Sequence, residues 1–381
     1  MDSNNINDVR VDFKNITFSG YQKSKVKNEF IKSMYDNKIE NACYWCAEFI
    51  CAGHYLDVWN IIIFYTYKYI HSGNPKLAIY LNMRYNNFLS ILKNGYTSNI
   101  LPMRNNNKVR KIFCEIICIV CFSNKKNTIN EIKLDKSTSF DLISISEKFK
   151  APHVNYIKNI LRDDDPKELI IPVNELIYNL VSKNIIDTYY WFEWILEYEN
   201  ICKKKKKKCI GESRMYAPSG FANNIIWIIW DILFYYSNPE TTDKFDDLKK
   251  INNNSNNSNS SNSSNSSNSS NSSNSSNNLP MKYKIINELF GLFTIRYNAS
   301  HIRKRKSIIY FAFSLLIDNI DLNINIINNT EKIEAIVNKI DAIYKDIKKN
   351  EVSPNTDYLF TNLNKSNLEK TIEKIEMINN M

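Results

Sequence analysis

The sequence is poor in the residues that build tight turns: among 381 residues only 7 are glycine and 9 are proline. Sheets joined by short hairpins need more glycine than this, because hairpin turns use backbone angles that other residues avoid. The glycines are also dispersed, and no GxxxxGK[ST] or GxGxxG motif occurs. The chain therefore does not suit a mostly antiparallel fold and gives little support to an ATPase or kinase.

Long apolar runs are missing as well. The longest, 225–236 and 308–317, are shorter than the about 20 residues that cross a bilayer, and the first contains Asp231. The opening MDSNNINDVRVDF is polar and lacks the basic and apolar regions of a signal peptide. We therefore expect a soluble protein without a membrane partner, in a reducing intracellular setting where its 8 cysteines are thiols.

What the chain does have is a large apolar and aromatic content, 43% and 13% of the residues. Ile, Leu, Phe and Tyr recur at helical spacing through most of the sequence, which predicts an all-α fold. A polar run of Asn and Ser at 252–278 offers no apolar surface to offset its ordering entropy, so we expect it to be disordered.

Two stretches of the sequence resemble each other. Residues 29–50 read EFIKSMYDNKIENACYWCAEFI, and residues 175–196 read ELIYNLVSKNIIDTYYWFEWIL. Residue n of the first matches residue n + 146 of the second without a gap, so that Tyr44-Trp45 matches Tyr190-Trp191. Such self-similarity predicts an internal duplication of a helix-turn-helix unit.

The duplication predicts two tandem multi-helix units with a C-terminal helical extension. The predicted ranges are an N-terminal extended arm or edge strand at 1–20, helical unit A at 21–125, a linker with a short helix at 126–165, helical unit B at 166–320 with disordered insertions at 203–212 and 252–279, and the extension at 321–381.

The sequence contains only weak signals for catalytic or metal-binding residues. Cys43-x-x-Cys46 and Cys118-x-x-Cys121 have the spacing of structural zinc ligands, but both pairs lie in apolar helical runs, and Tyr189 and Phe192 match the first pair in unit B. We therefore favour core packing over a metal site for these cysteines. The four histidines are scattered, so we predict no catalytic residues, no cofactor and no small-molecule ligand.

The charge of the chain, +10 with a pI of about 9.0, favours an acidic partner. Two basic turns precede apolar helices, where cations oppose the helix dipole unless an anion binds. The predicted nucleic-acid-binding residues are Lys108, Arg110 and Lys111 in unit A and Arg303, Lys304, Arg305 and Lys306 in unit B. The alternative is that the helices begin a turn later and leave solvated loops.

A seam of isoleucines follows near the C-terminus. Ile333, Ile336, Ile340, Ile343 and Ile347 alternate in steps of three and four residues along a predicted helix at 331–349. This spacing is typical of a face that packs against a partner helix. The tryptophan pairs Trp191/Trp194 and Trp227/Trp230 are interpreted as core residues rather than as platforms for stacking bases.

The strings ACYWCAEFICAGHYLDVWNIII, YIHSGNPKLAIYLNMRYNNF, VRKIFCEIICIVCFSNKK and KAPHVNYIKNILRDDDPKELIIPVNELIYNL resemble an uncharacterised all-helical protein family of the nucleocytoplasmic large DNA viruses, with members in chloroviruses and mimivirus relatives. The likeness covers most of the chain outside the insertions. It implies a viral protein of the host cytoplasm, in the viral factory or the virion. It brings no catalytic residues with it.

These features lead to three hypotheses about function. The first is a non-enzymatic scaffold or adaptor with a protein partner, acting in viral replication, transcription or assembly. The second is a nucleic-acid-binding module that uses the two basic turns. The third, a minor one, is an unfamiliar enzyme, which would need a polar pocket with at least two titratable groups.

Overall fold

A computed structural model describes residues 5–126, 132–135, 138–241 and 273–352. Over these ranges the chain is all-α, as predicted, with 14 helices and no strand. The only β-type pairings there are two isolated bridges, Ile16 with Gln22 and His71 with Lys126. Across the same residues, no helix is both long enough and apolar enough to cross a bilayer.

The α-helices, in chain order, are α1 (Lys23–Tyr35), α2 (Ile39–Cys51), α3 (Tyr55–Tyr65), α4 (Leu77–Lys93), α5 (Asn107–Phe122), α6 (Leu142–Ser146), α7 (Ile170–Val181), α8 (Ile185–Lys204), α9 (Ile226–Ser237), α10 (Ser273–Thr294), α11 (His301–Lys304), α12 (Lys306–Ile317), α13 (Thr330–Asn338) and α14 (Ile340–Lys348). Helix α3 continues into a π-helical turn, Thr66–Ile70.

The chain divides into two compact units, each held together by contacts among its own segments. Unit 1 comprises Met1–Ile62, Asn86–Phe122 and Asn329–Met381, and unit 2 comprises Ile63–Tyr85 and Ser123–Asn328. These units interleave along the chain, whereas the ranges predicted from the sequence are contiguous. The predicted division, with unit A at 21–125 and unit B at 166–320, stays a prediction.

The two turns that the sequence alignment pairs have the same backbone. Asn37 (φ 57°) lies between α1 and α2, and Lys183 (φ 58°), its match at +146, lies between α7 and α8. The hydrogen bonds from Asp36, Asn37 and Lys38 to residues 32, 34 and 33 recur, each shifted by 146, in the second turn. A left-handed residue satisfies the last carbonyls of the first helix in this way. The agreement supports the duplication.

The core of unit 1 is aromatic and built around α5. Trp59 and Phe113 lie 5.4 Å apart between ring centroids, and Phe88 packs on both. The N-terminal arm forms no strand within its described part. Instead, Asn105 bonds both the N–H and the carbonyl of Ile6, and the arm is anchored by buried Phe13 and Phe18.

Unit 2 packs the antiparallel pair α7 and α8 beside α9, α10 and α12. Trp191, Trp194, Trp227 and Trp230 are buried, as the core interpretation predicts. Within the predicted linker at 126–165, the short helix α6 lies at Leu142–Ser146, and residues 151–161 form only the 3₁₀ turn Asn155–Ile157. The carboxylate of buried Glu175 accepts hydrogen bonds from the N–H groups of Lys150 and Ala151 and so holds the chain outside a helix.

The remaining sequence predictions have mixed outcomes. The predicted disordered insertion at 203–212 is wrong at both ends: Lys203 and Lys204 close α8, and the N–H groups of Gly211 and Glu212 donate to Asn223 O and Asp165 Oδ1. Most of the predicted insertion at 252–279 lies outside the described residues, and α10 begins at Ser273. Residues 353–381 of the predicted C-terminal extension also lie outside them.

We expect Lys183→Gly to stabilise the protein by about 1 kcal/mol, because a left-handed backbone costs a residue with a Cβ about that much. Lys183→Val should be destabilising, since a branched side chain is worse still at this backbone angle. Asn37→Gly is the matched control and should change stability less, because asparagine tolerates this conformation. Thermal denaturation of the full chain measures all three. Equal effects at both turns would contradict the explanation.

Candidate functional site

The first predicted basic turn has one buried member and two exposed ones. Arg110 is only 3% exposed, and its guanidinium donates to Arg104 O (2.8 Å) and Asn105 Oδ1 (3.1 Å). It also lies 4.2 Å from the centroid of the Tyr344 ring and 3.4 Å from Asp341. Its donors are therefore committed inside unit 1. Lys108 and Lys111, in the first turns of α5, are exposed.

The second basic turn repeats this arrangement within unit 2. Arg305 is 3% exposed and donates to Phe293 O (2.7 Å) and Ile295 O (2.8 Å), the carbonyls at the end of α10. Lys306 pairs with Glu193 at 3.0 Å. Arg303 and Lys304 are exposed on the short helix α11.

The structure thus corrects the list of predicted phosphate contacts. Arg110 and Arg305 are buried and cannot contact the phosphates of a nucleic acid. Lys306 forms an ion pair with Glu193, which offsets its charge. The alternative of a later helix start with solvated loops fits neither turn: α5 begins at Asn107, and at the second turn the short helix α11 and buried Arg305 precede α12. Whether the four exposed cations bind nucleic acid stays a prediction.

The isoleucine seam is covered by its own unit. It runs along two helices rather than one, because Lys339 interrupts the predicted helix between α13 and α14. Helix α13 packs on α5, and α14 packs on α2. Ile333, Ile340 and Ile347 are buried, while Ile336 and Ile343 are half-buried. The interpretation of the seam as an unpaired face for another protein is therefore wrong for its three buried residues.

A groove of about 430 Å³ lies in unit 1 between α2 and α14. Half-exposed Tyr44 and Trp45 meet edge to face at 5.2 Å, and Tyr21 packs on the same indole at 5.9 Å. Burial and the nearby Glu48 and Tyr21 raise the pKa of Tyr44 to about 12, so its hydroxyl stays protonated. The other lining residues are Glu40, Asn41, Ala342, Ile343 and Asp346.

The rim of this groove is acidic. Glu40 is exposed and makes no ion pair in the part of the chain that is described. Asp346 pairs only with Lys349, at 2.8 Å, and both side chains are more than half exposed. Such a surface pair contributes little and exchanges easily. The groove therefore combines aromatic side chains with carboxylates at its rim. The periodicity of the sequence does not predict this combination.

The cysteines do not assemble as the two CxxC pairs. Cys43 of α2 instead meets Cys114 and Cys118 of α5, and the three sulfurs lie within 4.8 Å of one another. Cys46 and Cys121 are buried outside this cluster. Hydrogen bonds with Cys114 and Cys43 lower the pKa of the Cys118 thiol, whereas hydrogen bonds with Cys114 and Cys118, together with burial, raise the pKa of Cys43. His54 lies elsewhere, with Nε2 at 2.8 Å from Phe13 O.

Unit 2 contains a buried charge network that the sequence did not indicate. Arg214, fully buried, binds both oxygens of Asp165 (2.6 and 2.7 Å) and one of Asp231 (2.9 Å). Burial alone would raise the pKa of Asp165. The bonds from Arg214 and from the N–H groups of Arg162 and Glu212 outweigh burial, and the pKa lies below its usual value. Asp165 thus anchors this network.

A cavity of about 490 Å³ opens beside this network and is lined by Lys158, Arg162, Tyr216, Asp231, Tyr235 and Tyr283, among others. The Tyr216 hydroxyl donates to Asp231 at 2.6 Å, and burial together with that carboxylate raises the pKa of Tyr216. Asp231 is thus held between Arg214 and Tyr216 and is not free to act as a general base. The cavity has the charged groups of a binding site but not a poised acid–base pair.

In comparison with known proteins, no family model, no curated protein and no solved structure matches the chain.

We expect Arg214→Met to destabilise the protein by about 3–5 kcal/mol, because it leaves Asp165 and Asp231 as buried carboxylates without their cation. Arg162→Met is the control, since its pair with Glu212 (3.4 Å) is about one-third exposed and should contribute under about 1 kcal/mol. Thermal denaturation of the full chain checks both.

The same network should give an acid-dependent stability. The pKa of Asp165 is lower in the folded state than its usual value of 3.8. Its contribution is therefore complete above about pH 4 and is lost as the pH falls through the lower, folded value. The stability difference between wild type and Arg214→Met should narrow over that acid range, and a difference that does not change with pH would contradict the assignment.

Proposed function

We propose that this protein is a non-enzymatic helical adaptor of a large DNA virus, acting in replication, transcription or assembly within the viral factory or the virion. The observation that supports the adaptor role is the aromatic groove between α2 and α14. Tyrosine and tryptophan are the residue types that dominate the energy of protein interfaces. Here Trp45 and Tyr44 remain partly exposed. Trp191, the residue of unit 2 that aligns with Trp45, is buried.

The partner that matches this groove is an amphipathic helix with basic residues. Two packed helices leave a trough between them, and a third helix can place its apolar side chains there at a spacing of three and four residues. Ile343 and Trp45 supply the apolar contact. Glu40 and Asp346 on the rim favour lysine or arginine on the partner and disfavour acidic helices. The viral setting rests on the sequence resemblance alone.

The second candidate, a nucleic-acid-binding module, has a narrower basis. Lys108, Lys111, Arg303 and Lys304 are exposed and make no ion pair among the described residues. Lys108 and Lys111 belong to unit 1, and the other two to unit 2. Exposed, unpaired cations bind phosphates without reading sequence, so this function would be non-specific and sensitive to salt.

To test the adaptor role, a photo-cross-linking residue is placed at Asn41 or Ala342 in the groove, and the full chain is produced in infected host cells. We expect one discrete protein adduct, containing a basic amphipathic helix, that forms from both positions. Trp45→Ala should reduce its yield by about tenfold or more, because loss of a central tryptophan removes at least about 2 kcal/mol.

The cross-linker at Val11, which is 82% exposed and outside the groove, is the control for random collision. The melting temperature of Trp45→Ala shows that the chain remains folded. The proposal would be wrong if no adduct depends on Trp45, or if Val11 gives the same adduct.

Nucleic-acid binding is tested with a variant carrying alanine at Lys108, Lys111, Arg303 and Lys304. Arg110 and Arg305 stay unchanged, since their removal would disturb the core. Both proteins lack Lys203–Lys208, and each is titrated with a random duplex and a random single strand across a salt series. If this candidate function holds, affinity falls with salt for the parent, and the variant shows a shallower slope. Equal slopes would remove these residues from consideration.

A further inference from the structure

Unit 1 contains a cluster of three buried cysteines whose sulfur atoms lie close together. Cys114 and Cys118 are four residues apart and so occupy one face of α5. That face meets Cys43 of α2, and all three residues are at most 1% exposed. The cluster is built from a Cys-x-x-x-Cys helical spacing plus one distant cysteine, not from either CxxC pair.

The spacing of the sulfurs matches a shared metal ion. Cys43 Sγ and Cys114 Sγ are 3.8 Å apart, far beyond a disulfide bond, and Cys118 Sγ lies within 4.8 Å of both. With metal–sulfur bonds of about 2.3 Å, as in zinc thiolates, two ligands of one ion are about 3.8 Å apart in tetrahedral geometry and about 4.0 Å in trigonal geometry. Small rotamer adjustments would bring all three sulfurs to that separation.

The contact that matches this one in unit 2 contains no sulfur. Tyr189 and Phe192 of α8, the residues aligned with Cys43 and Cys46, pack on Tyr310 and Phe313 of α12 at 4.4 and 5.8 Å. A helix pair of this kind is thus filled by aromatic rings in unit 2. In unit 1 the same kind of contact gathers three thiols instead.

The donor set selects the ion. Three soft sulfurs and no histidine or carboxylate belong to the cluster found among the described residues. Thiolates favour Cu(I), Zn²⁺ and iron–sulfur clusters over Mg²⁺ or Ca²⁺. Zinc in structural sites needs a fourth ligand, and among the described residues no fourth cysteine, histidine or carboxylate belongs to the cluster. Cu(I) can be satisfied by three thiolate ligands, so the three sulfurs would complete its coordination without a fourth donor.

We propose that Cys43, Cys114 and Cys118 form a three-coordinate, all-sulfur binding site for Cu(I). The ion joins α2 to α5 at the centre of unit 1. Binding displaces thiol protons to solvent without any change in oxidation state, so the step needs no oxidant or reductant. Because the cluster is buried, the ion enters as the helices pack, and its binding free energy adds to the stability of the folded chain.

The test uses the full chain with Cys202→Ser and Cys209→Ser, because those two thiols interact with each other in unit 2 and could bind copper themselves. Under anaerobic conditions Cu(I) is titrated in competition with a chromophoric Cu(I) chelator. X-ray absorption then counts the sulfur neighbours of the metal. We expect one ion per chain with three sulfur ligands, and a higher melting temperature when it is bound.

Cys118→Ala should weaken binding by more than about 100-fold, since even outer-shell changes around a metal cost 10–100-fold. Cys121→Ala, on the same helix and equally buried but outside the cluster, is the matched control and should keep the affinity. The melting temperatures of the metal-free variants separate loss of a ligand from loss of folding, because Cys118→Ala should remain folded yet gain no stability from Cu(I).

Three outcomes would overturn the proposal. The first is the absence of Cu(I) binding that survives the chelator. The second is equal binding by Cys118→Ala and Cys121→Ala. The third is preferential binding of Zn²⁺ with four sulfur ligands, which would recruit a further cysteine and would make this a tetrahedral zinc site.

Discussion

Removing an arginine from water is costly unless its guanidinium finds acceptors, and buried arginines that bond to distant segments occur in both units. Arg104, Arg110, Arg214 and Arg305 are each at most 4% exposed. Arg104 donates to Cys51 O at the end of α2, and Arg305 to carbonyls at the end of α10. Arg214 joins two carboxylates. Each guanidinium therefore ties a helix end or a loop to a distant segment.

This use of arginine changes how the basic character of the chain is interpreted. A net charge of +10 favours an acidic partner if the cations face solvent. Two of the seven cations at the basic turns are instead internal, and a third is paired with Glu193. What remains at those turns is a small number of exposed cations. The acidic, aromatic groove between α2 and α14, which we propose as the partner site, combines shape, apolar area and charge.

The isoleucine seam and the cysteines show how the same residue pattern changes meaning with its neighbours. An alternating three-four spacing correctly indicates an apolar helical face, but α2 and α5 of the same unit already cover it. The CxxC pairs have zinc-like spacing, yet neither Cys46 nor Cys121 joins the cluster that forms. Cys114 and Cys118 share a face, and α2 brings Cys43 to it.

The sequence by itself determined the all-α class, the positions of most helices and the turn shared by α1–α2 and α7–α8. These follow from local rules: helical periodicity, capping, and left-handed residues that end a helix within a few positions. Only the tertiary structure decided which polar groups are internal. Arg214 and Asp165 are 49 residues apart, and Cys43 and Cys114 are 71 apart. Burial, pairing and sulfur clustering depend on which helices meet, and no local pattern encodes that.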